Sequence, residues 1–139
     1  MTYYPKKPIR SFQDLQVYQL SYNLMIKILK KLDTTNNINL QTCISKVPEL
    51  IATAHSLRFG DSQKGIKILE ETMLNCNLAV HYLSLTRDLE RFGTFSRNSS
   101  SEPKDLDFES CIKQYLQIRT KILRLQMSWK KFSKEYDQK

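Results

Sequence analysis

The residues of this chain whose types could support catalysis or metal binding do not occur at the spacings that such chemistry needs. His55 and His81 are the only histidines, and neither belongs to an HExxH or ExxH sequence. A di-iron helical bundle would need inward-facing Glu-x-x-His pairs, and neither Glu70 nor Glu71 has such a partner. A glycine-rich phosphate loop and a GxSxG sequence are also absent. We therefore expect a protein that is not an enzyme and that uses no metal or other cofactor.

The three cysteines, Cys43, Cys76 and Cys111, lie among apolar residues on predicted helices. No CxxC pair accompanies them, which argues against a zinc site. We expect them to be small buried side chains in a reducing compartment. Residues 1–10 are basic but lack the apolar core of a secretory signal, and no run approaches the roughly 18 apolar residues of a membrane span. These features predict a cytoplasmic protein with no membrane partner.

Positive charge is the chemistry that the sequence does concentrate. The chain carries 22 lysines and arginines against 14 aspartates and glutamates, a net charge of +8. Residues 111–139 hold eight basic side chains against Glu135 and Asp137, so +6 of that charge lies in one segment. Clustered cations neutralise phosphates and release counterions, which favours RNA or DNA as the partner. The alternatives are a merely solvated basic face and a basic face that docks an acidic protein.

The candidate phosphate contacts come from two segments. One is a basic, proline-bearing arm over residues 1–10, and the other is the last predicted helix. In that helix Arg119, Arg124 and Lys131 follow one another at spacings of five and seven, which we interpret as near one side. The complete predicted set of nucleic-acid-binding residues is Lys6, Lys7, Arg10, Arg119, Lys121, Arg124, Lys130 and Lys131.

The last helix, which must position most of these cations, is strongly periodic. Gaps of three and four residues place one apolar stripe along it. That stripe consists of Phe108, Cys111, Tyr115, Ile118, Ile122, Leu125, Trp129, Phe132 and Tyr136. A second stripe beside it consists of Ile112, Leu116, Leu123 and Met127. We expect the first stripe, including Trp129, to pack into a core.

Three further helices are predicted upstream. The four helices span about residues 12–32, 39–59, 63–92 and 104–136, and their mostly short connections imply an antiparallel up-down four-helix bundle over residues 11–136. Ser11 is predicted to cap the first helix together with Asp14. The predicted apolar face of that helix is Phe12, Leu15, Tyr18, Tyr22, Met25, Ile26, Leu29 and Leu32. Pro48 predicts a kink or a break in the second helix.

The third helix is apolar on two faces. One stripe is Ile66, Leu69, Met73, Cys76, Val80 and Leu83. The other is Leu74, Leu78, Tyr82, Leu85, Leu89 and Phe92. A helix with two apolar faces is either central in a monomer or contacts a neighbouring subunit. We expect a homo-oligomer.

Several phrases resemble a known group of helical bundles. Phe12, Leu15, Val17, Tyr18 and Gln19 match the Phe-x-x-Leu-x-Val-aromatic-Gln opening of bacterial four-helix-bundle proteins encoded by large-subunit rRNA intervening sequences. The end of the third helix is similar to that family and to its relative Avd, the accessory variability determinant of diversity-generating retroelements. The matching residues there are Leu83, Thr86, Arg87, Asp88 and Leu89.

Two features place the resemblance on the Avd side. The last helix carries an apolar run that ends in a tryptophan and basic residues, as in Avd, with Trp129 in that position. The Asn-Ile-Ala-Glu-Gly phrase that usually follows the helix-two proline in intervening-sequence proteins is missing after Pro48, as it is in Avd. The resemblance covers most of residues 11–133.

The resemblance implies a homopentameric ring of bundles, a positive surface that binds RNA or DNA, and a reverse transcriptase as partner. It predicts a non-enzymatic accessory protein of a retroelement. The alternative is a protein-interaction or assembly module of the intervening-sequence type that has no direct role with a reverse transcriptase.

Overall fold

The computed structural model describes residues 11–32, 37–92 and 106–137. In these segments the chain forms four α-helices and no strand, which confirms the predicted all-α class. A short 3₁₀ turn at Phe12–Asp14 precedes them. The helices are α1 (Gln16–Lys31), α2 (Ile38–Leu57), α3 (Ser62–Phe92) and α4 (Phe108–Asp137). None of the described helices is long and apolar enough to cross a membrane.

Contacts between helix ends show how the four helices are arranged. Thr86, late in α3, donates a 3.2 Å hydrogen bond to Asn37, which precedes α2. Gln126, in the second half of α4, donates a 3.1 Å hydrogen bond to the carbonyl of Ile66 near the start of α3. Both α2 and α4 therefore run antiparallel to α3, and α1 packs against α2 and α4 to close the group. This arrangement is compatible with the predicted helical bundle.

The first apolar stripe of α4 forms one wall of the core. Its residues from Phe108 to Trp129 are buried, apart from the half-buried Leu125, and Trp129 is only 4% exposed. Phe132, however, is 57% exposed, so its predicted place in the core is wrong. Trp129 already packs against Arg58, the capping residue directly after α2, and Phe132 lies almost one turn beyond that point. The side chain of Tyr136 lies outside the described part of the chain.

The buried face of α1 differs from the predicted one. The residues of α1 that face the core are Val17, Ser21, Leu24 and Ile28. Of the predicted face, Leu15 and Leu32 at the two ends of the helix are buried as predicted. Tyr18, Met25 and Leu29 are half-buried against the core, Ile26 is half-buried, and Tyr22 is exposed. The burial of Ser21 explains the error, because its hydroxyl donates to the carbonyl of Tyr18 in its own helix and so needs no partner elsewhere.

Side-chain caps occur at the start of the 3₁₀ turn and at the start of α4. Ser11 and Asp14 form the predicted capping box, since the Ser11 Oγ accepts from Gln13 N and the Asp14 carboxylate accepts from Ser11 N, both at 3.2 Å. The box caps the 3₁₀ turn, and α1 begins two residues after Asp14. In α4, Asp107 accepts from Ser110 N at 3.0 Å, which sets its start at Phe108 rather than near residue 104.

Helix α2 runs through Pro48 without interruption, so the predicted alternative of a helix break is wrong. Pro48 is buried, and the helix continues for nine residues beyond it to Leu57. Packing against α3 stabilises the helix across the position where proline removes a backbone donor.

Candidate nucleic-acid interface

The outward surface of α4 carries a shallow depression of about 500 Å³. Three of its lining residues are cationic, namely Lys113, Lys121 and Arg124. The others are Leu116, Gln117 and Thr120. The depression therefore combines positive charge with hydrogen-bonding side chains and one apolar contact, a composition suited to an anionic ligand.

Lys113 belongs to this surface although the sequence-based set omits it. It lies eleven residues before Arg124, and Lys131 lies seven residues after Arg124. At 3.6 residues per turn each interval returns to within ~20° of the same direction. Lys113, Arg124 and Lys131 therefore form one line along the exposed side of α4, which we call the basic ridge. The eleven-residue spacing was the signal that could have identified Lys113.

The structure does not place Arg119 on the basic ridge. Five residues separate it from Arg124, which turns its direction by ~140° around the helix. Arg119 lies on the flank of α4 towards α3, where its charge acts on the thiol of Cys76. The interpretation that Arg119, Arg124 and Lys131 lie near one side of the helix is therefore wrong for Arg119.

Lys121 lies on the opposite flank, towards α1. Its Nζ donates a 3.2 Å hydrogen bond to Oε1 of Gln16 at the start of α1. This neutral partner orients the ammonium group and leaves its charge uncompensated. Lys130 is exposed and lies eleven residues after Arg119, so it shares that residue's flank. The predicted cations of α4 thus surround the exposed half of the helix, and the basic ridge runs along its middle.

These cations differ from the basic residues that stabilise the fold. Arg87 is bonded to Asp88 at 3.0 Å and to Glu109 at 2.7 Å, and Arg91 lies 3.8 Å from Glu109. Within the described segments, no carboxylate lies within 4 Å of any of the α4 cations at the surface. That set is Lys113, Arg119, Lys121, Arg124, Lys130 and Lys131. Their charge is therefore available to an external anion.

The three predicted contacts in the basic arm, Lys6, Lys7 and Arg10, lie outside the described residues. The same holds for the side chain of Lys134 near the end of α4.

An apolar strip lies beside the basic ridge. Leu116 and Leu123 are each 42% exposed and Met127 is 61% exposed, so the described part of the chain leaves most of the second stripe of α4 uncovered. On α3, Leu74, Leu85 and Leu89 are 45–54% exposed in the same way. Both helices therefore present apolar surface as well as charge, which is typical of proteins that contact a partner.

The three cysteine thiols and the Tyr115 hydroxyl are buried, and burial raises the pKa of each. Burial raises the pKa of the Cys76 thiol to about 12, although the nearby charge of Arg119 opposes the shift. Burial also raises the pKa of Cys43 and Cys111 and raises that of Tyr115 well above its ordinary value. Protonated thiols are poor nucleophiles. Among the described residues, no group of three histidine, cysteine or acidic side chains could hold a metal ion.

The histidines do not combine with these groups. His55 is half-buried, and burial together with the charge of Arg58 lowers its pKa, which favours the neutral imidazole. His81 lies exposed on α3 with its ring packed edge-on against Tyr82. What the described surface offers chemically is a field of positive charge for binding anions.

Comparison with known proteins adds no relative: no protein-family model matches the sequence, and neither the curated proteins nor the solved structures give a match. The resemblance to Avd and the intervening-sequence proteins therefore depends on the motif residues quoted above. One of them, Arg87, takes part in the ion pairs between α3 and α4 and so has a structural role here.

Proposed function

We propose that this chain is a non-enzymatic protein that binds RNA or DNA through the exposed side of α4. The observation that carries the proposal is the set of α4 cations without carboxylate partners, in the segment that holds +6 of the net charge of +8. Phosphate groups of the nucleic acid would pair with these cations, which have no carboxylate partner in the described part of the chain. Lys113, Lys121 and Arg124 lie within about three turns of one another on this open surface.

The binding would be driven by counterion release and would tolerate many sequences. Titrating the purified protein with a fluorescent RNA at several salt concentrations tests this directly. We expect the logarithm of the affinity to fall linearly with the logarithm of the salt concentration, by about 0.7 per contacted phosphate for a single strand. Affinity that is absent at low salt would overturn the proposal.

We further propose that the protein is an accessory factor of a retroelement, as its resemblance to Avd implies, and that it assists a reverse transcriptase. What supports this is the set of matched phrases, including Leu83–Leu89 and the position of Trp129. A reverse-transcriptase gene and a repeat pair beside the coding sequence, followed by co-purification of the two proteins, would test it. Their absence from that neighbourhood would contradict it.

A homopentameric ring is the assembly that we propose for this function. The exposed leucines of α3 support self-association, because the helices that the structure describes do not cover them. A ring would repeat the basic ridge around its circumference and so multiply a modest affinity at one site.

The second candidate function is a protein-interaction or assembly module. The observation that favours it is the uncovered apolar strip of Leu116, Leu123 and Met127 beside the basic ridge, which would suit an acidic, partly apolar protein surface. Binding of RNA with a strong salt dependence separates the first function from this one.

A further inference from the structure

The end of the bundle where α2 turns into α3 exposes an aromatic ring. Phe59, in the turn between the two helices, is 79% exposed, the largest exposure of any large hydrophobic residue in the described segments. An isolated exposed phenylalanine is common on protein surfaces and needs no explanation. What sets Phe59 apart is the pair of side chains behind it, Arg58 and Trp129.

Arg58 connects the exposed ring to the buried one. Its guanidinium carbon lies 4.9 Å from the ring centroid of Phe59 and 5.1 Å from that of Trp129, both within cation–π range. In the described segments it forms no ion pair, and no side-chain hydrogen bond of Arg58 is present. Burial lowers the pKa of Arg58. A partly desolvated cation thus lies against two rings with its N–H donors unused.

Trp129 supplies a second unused donor at the same place. Its side chain is 4% exposed, and its indole nitrogen is buried without a hydrogen-bond partner. Buried donors are rarely left unbonded, because the lost hydration is costly. Because that nitrogen is buried, an external ligand does not reach it, and the donor that a ligand can reach at this end of the bundle is the half-buried Arg58 guanidinium.

The turn that carries Phe59 is hydrogen-bonded to both flanking helices, and the space beside Gly60 is open. Asp61 N donates to Leu57 O at 2.8 Å and Gly65 N donates to Asp61 O at 3.0 Å, so both helices anchor the turn. At Gly65 an added Cβ would lie 3.1 Å from Ala54 O, which shows how closely α2 and α3 approach. At Gly60, by contrast, an added Cβ would meet no atom within 4 Å.

We propose that Phe59 is a stacking platform for an unpaired base of single-stranded RNA or DNA, with Arg58 beside it as a donor to the base or its phosphate. This inference rests on the proposed function, since the same strand would reach the basic ridge. Lys130 and Lys131 directly follow Trp129 in the sequence, and Lys131 belongs to the basic ridge, so exposed cations occur in the same part of α4 as the ring that Arg58 contacts. A π-face is common to all bases, and stacking on an aromatic side chain is correspondingly tolerant of sequence.

The test compares unpaired and paired nucleic acid at one salt concentration. We expect Phe59→Ala to weaken binding of a 20-nucleotide oligo(U) by about 5-fold or more, the loss that removal of one stacked base produces. Binding of a duplex of equal length stays unchanged, because its bases are already stacked. Phe59→Trp keeps the oligo(U) affinity. Ile38→Ala, which truncates a 65% exposed residue at the opposite end of the bundle, is the matched control and changes neither affinity.

The sole tryptophan, Trp129, gives a second readout. Saturating oligo(U) changes its emission in the parent protein, whereas the duplex does not. The stacking proposal is overturned if Phe59→Ala leaves oligo(U) binding intact or weakens both ligands equally while the parent binds RNA. If the parent protein binds neither ligand at low salt, the proposed nucleic-acid binding is wrong, and the stacking proposal, which depends on it, is wrong as well.

Discussion

Arg87 on α3 and Glu109 in the first turn of α4 are joined by a 2.7 Å hydrogen-bonded ion pair. Asp88 accepts from the same guanidinium, so Arg87 is committed to carboxylates of its own chain. The cations farther along α4 have no such partner among the described residues. The chain therefore uses its basic residues in two ways: one group connects helices, and the other leaves positive charge at the surface.

Replacement of Trp129 tests whether its side chain is packed in the hydrophobic core. Because the side chain is 4% exposed, Trp129→Ala should lower the free energy of unfolding by about 3–5 kcal/mol in urea denaturation. Phe132→Ala, a neighbour on the same helix that is 57% exposed, is the control and should cost less than about 0.5 kcal/mol. Equal, small losses for both variants would show that Trp129 is not packed as described.

Replacement of Tyr115 by phenylalanine should not lower the free energy of unfolding, in contrast to the replacement of Trp129. Its side chain is fully buried, and its hydroxyl has no hydrogen-bond partner. Tyr115→Phe removes an unsatisfied polar group and little volume, so we expect the free energy of unfolding to stay constant or rise by about 1 kcal/mol. A substantial loss of stability in thermal or urea denaturation would mean that the hydroxyl is bonded after all.

The buried thiols predict a loss of stability at alkaline pH. In the folded chain burial raises the pKa of Cys76 from 9.0 to about 12, so the folded state retains a proton that the unfolded state releases. The free energy of unfolding should therefore decrease as the pH rises from about 9 to 12, and full stabilisation by this thiol is present only below that range.

Cys76→Ala isolates that contribution, because the other titrating groups remain. The variant should show a shallower decline in the same pH range when unfolding is followed by circular dichroism. An identical slope in parent and variant would indicate that Cys76 titrates normally in the folded protein.

Self-association is tested by a charge on the exposed stripe of α3. We expect light scattering to give an oligomer of about five times the 16.4 kDa chain mass, and Leu85→Glu to reduce it to the monomer. Leu85 is 45% exposed, so the substitution does not disturb the core. Met127→Glu, at a 61% exposed position on α4, is the control and leaves the mass unchanged. A mass of about 16 kDa for the parent at micromolar concentration would contradict the proposed assembly.

The features predicted correctly from the sequence are those determined by local physics. The Ser11–Asp14 capping box depends on side chains three residues apart, and the stripe from Phe108 to Trp129 repeats too regularly to face solvent. The face of α1 was predicted only in part, because apolar residues lie on several of its sides. Only tertiary packing selects Val17, Leu24 and Ile28 and buries Ser21 between them.

The candidate site was less predictable than the fold for a related reason. The concentration of charge in α4 is visible in the sequence, but the partners of each cation are not. Arg87 and Arg124 look alike as residues, yet one meets Glu109 from another helix and the other meets no carboxylate in the described segments. The cation–π contact between Arg58 and Trp129 joins residues 71 positions apart, so no local pattern indicates it.

The salt dependence of RNA binding in two matched variants tests the central claim most directly. One variant replaces Lys121, Arg124, Lys130 and Lys131 with glutamine. The control replaces four exposed lysines elsewhere in the described chain, Lys27, Lys30, Lys46 and Lys67, and so loses the same net charge. We predict that the α4 variant loses affinity and that its log–log salt slope falls by about 0.7 for each lost phosphate contact, whereas the control keeps most of both. Equal losses in the two variants, or an unchanged slope in the α4 variant, would contradict a nucleic-acid interface on α4.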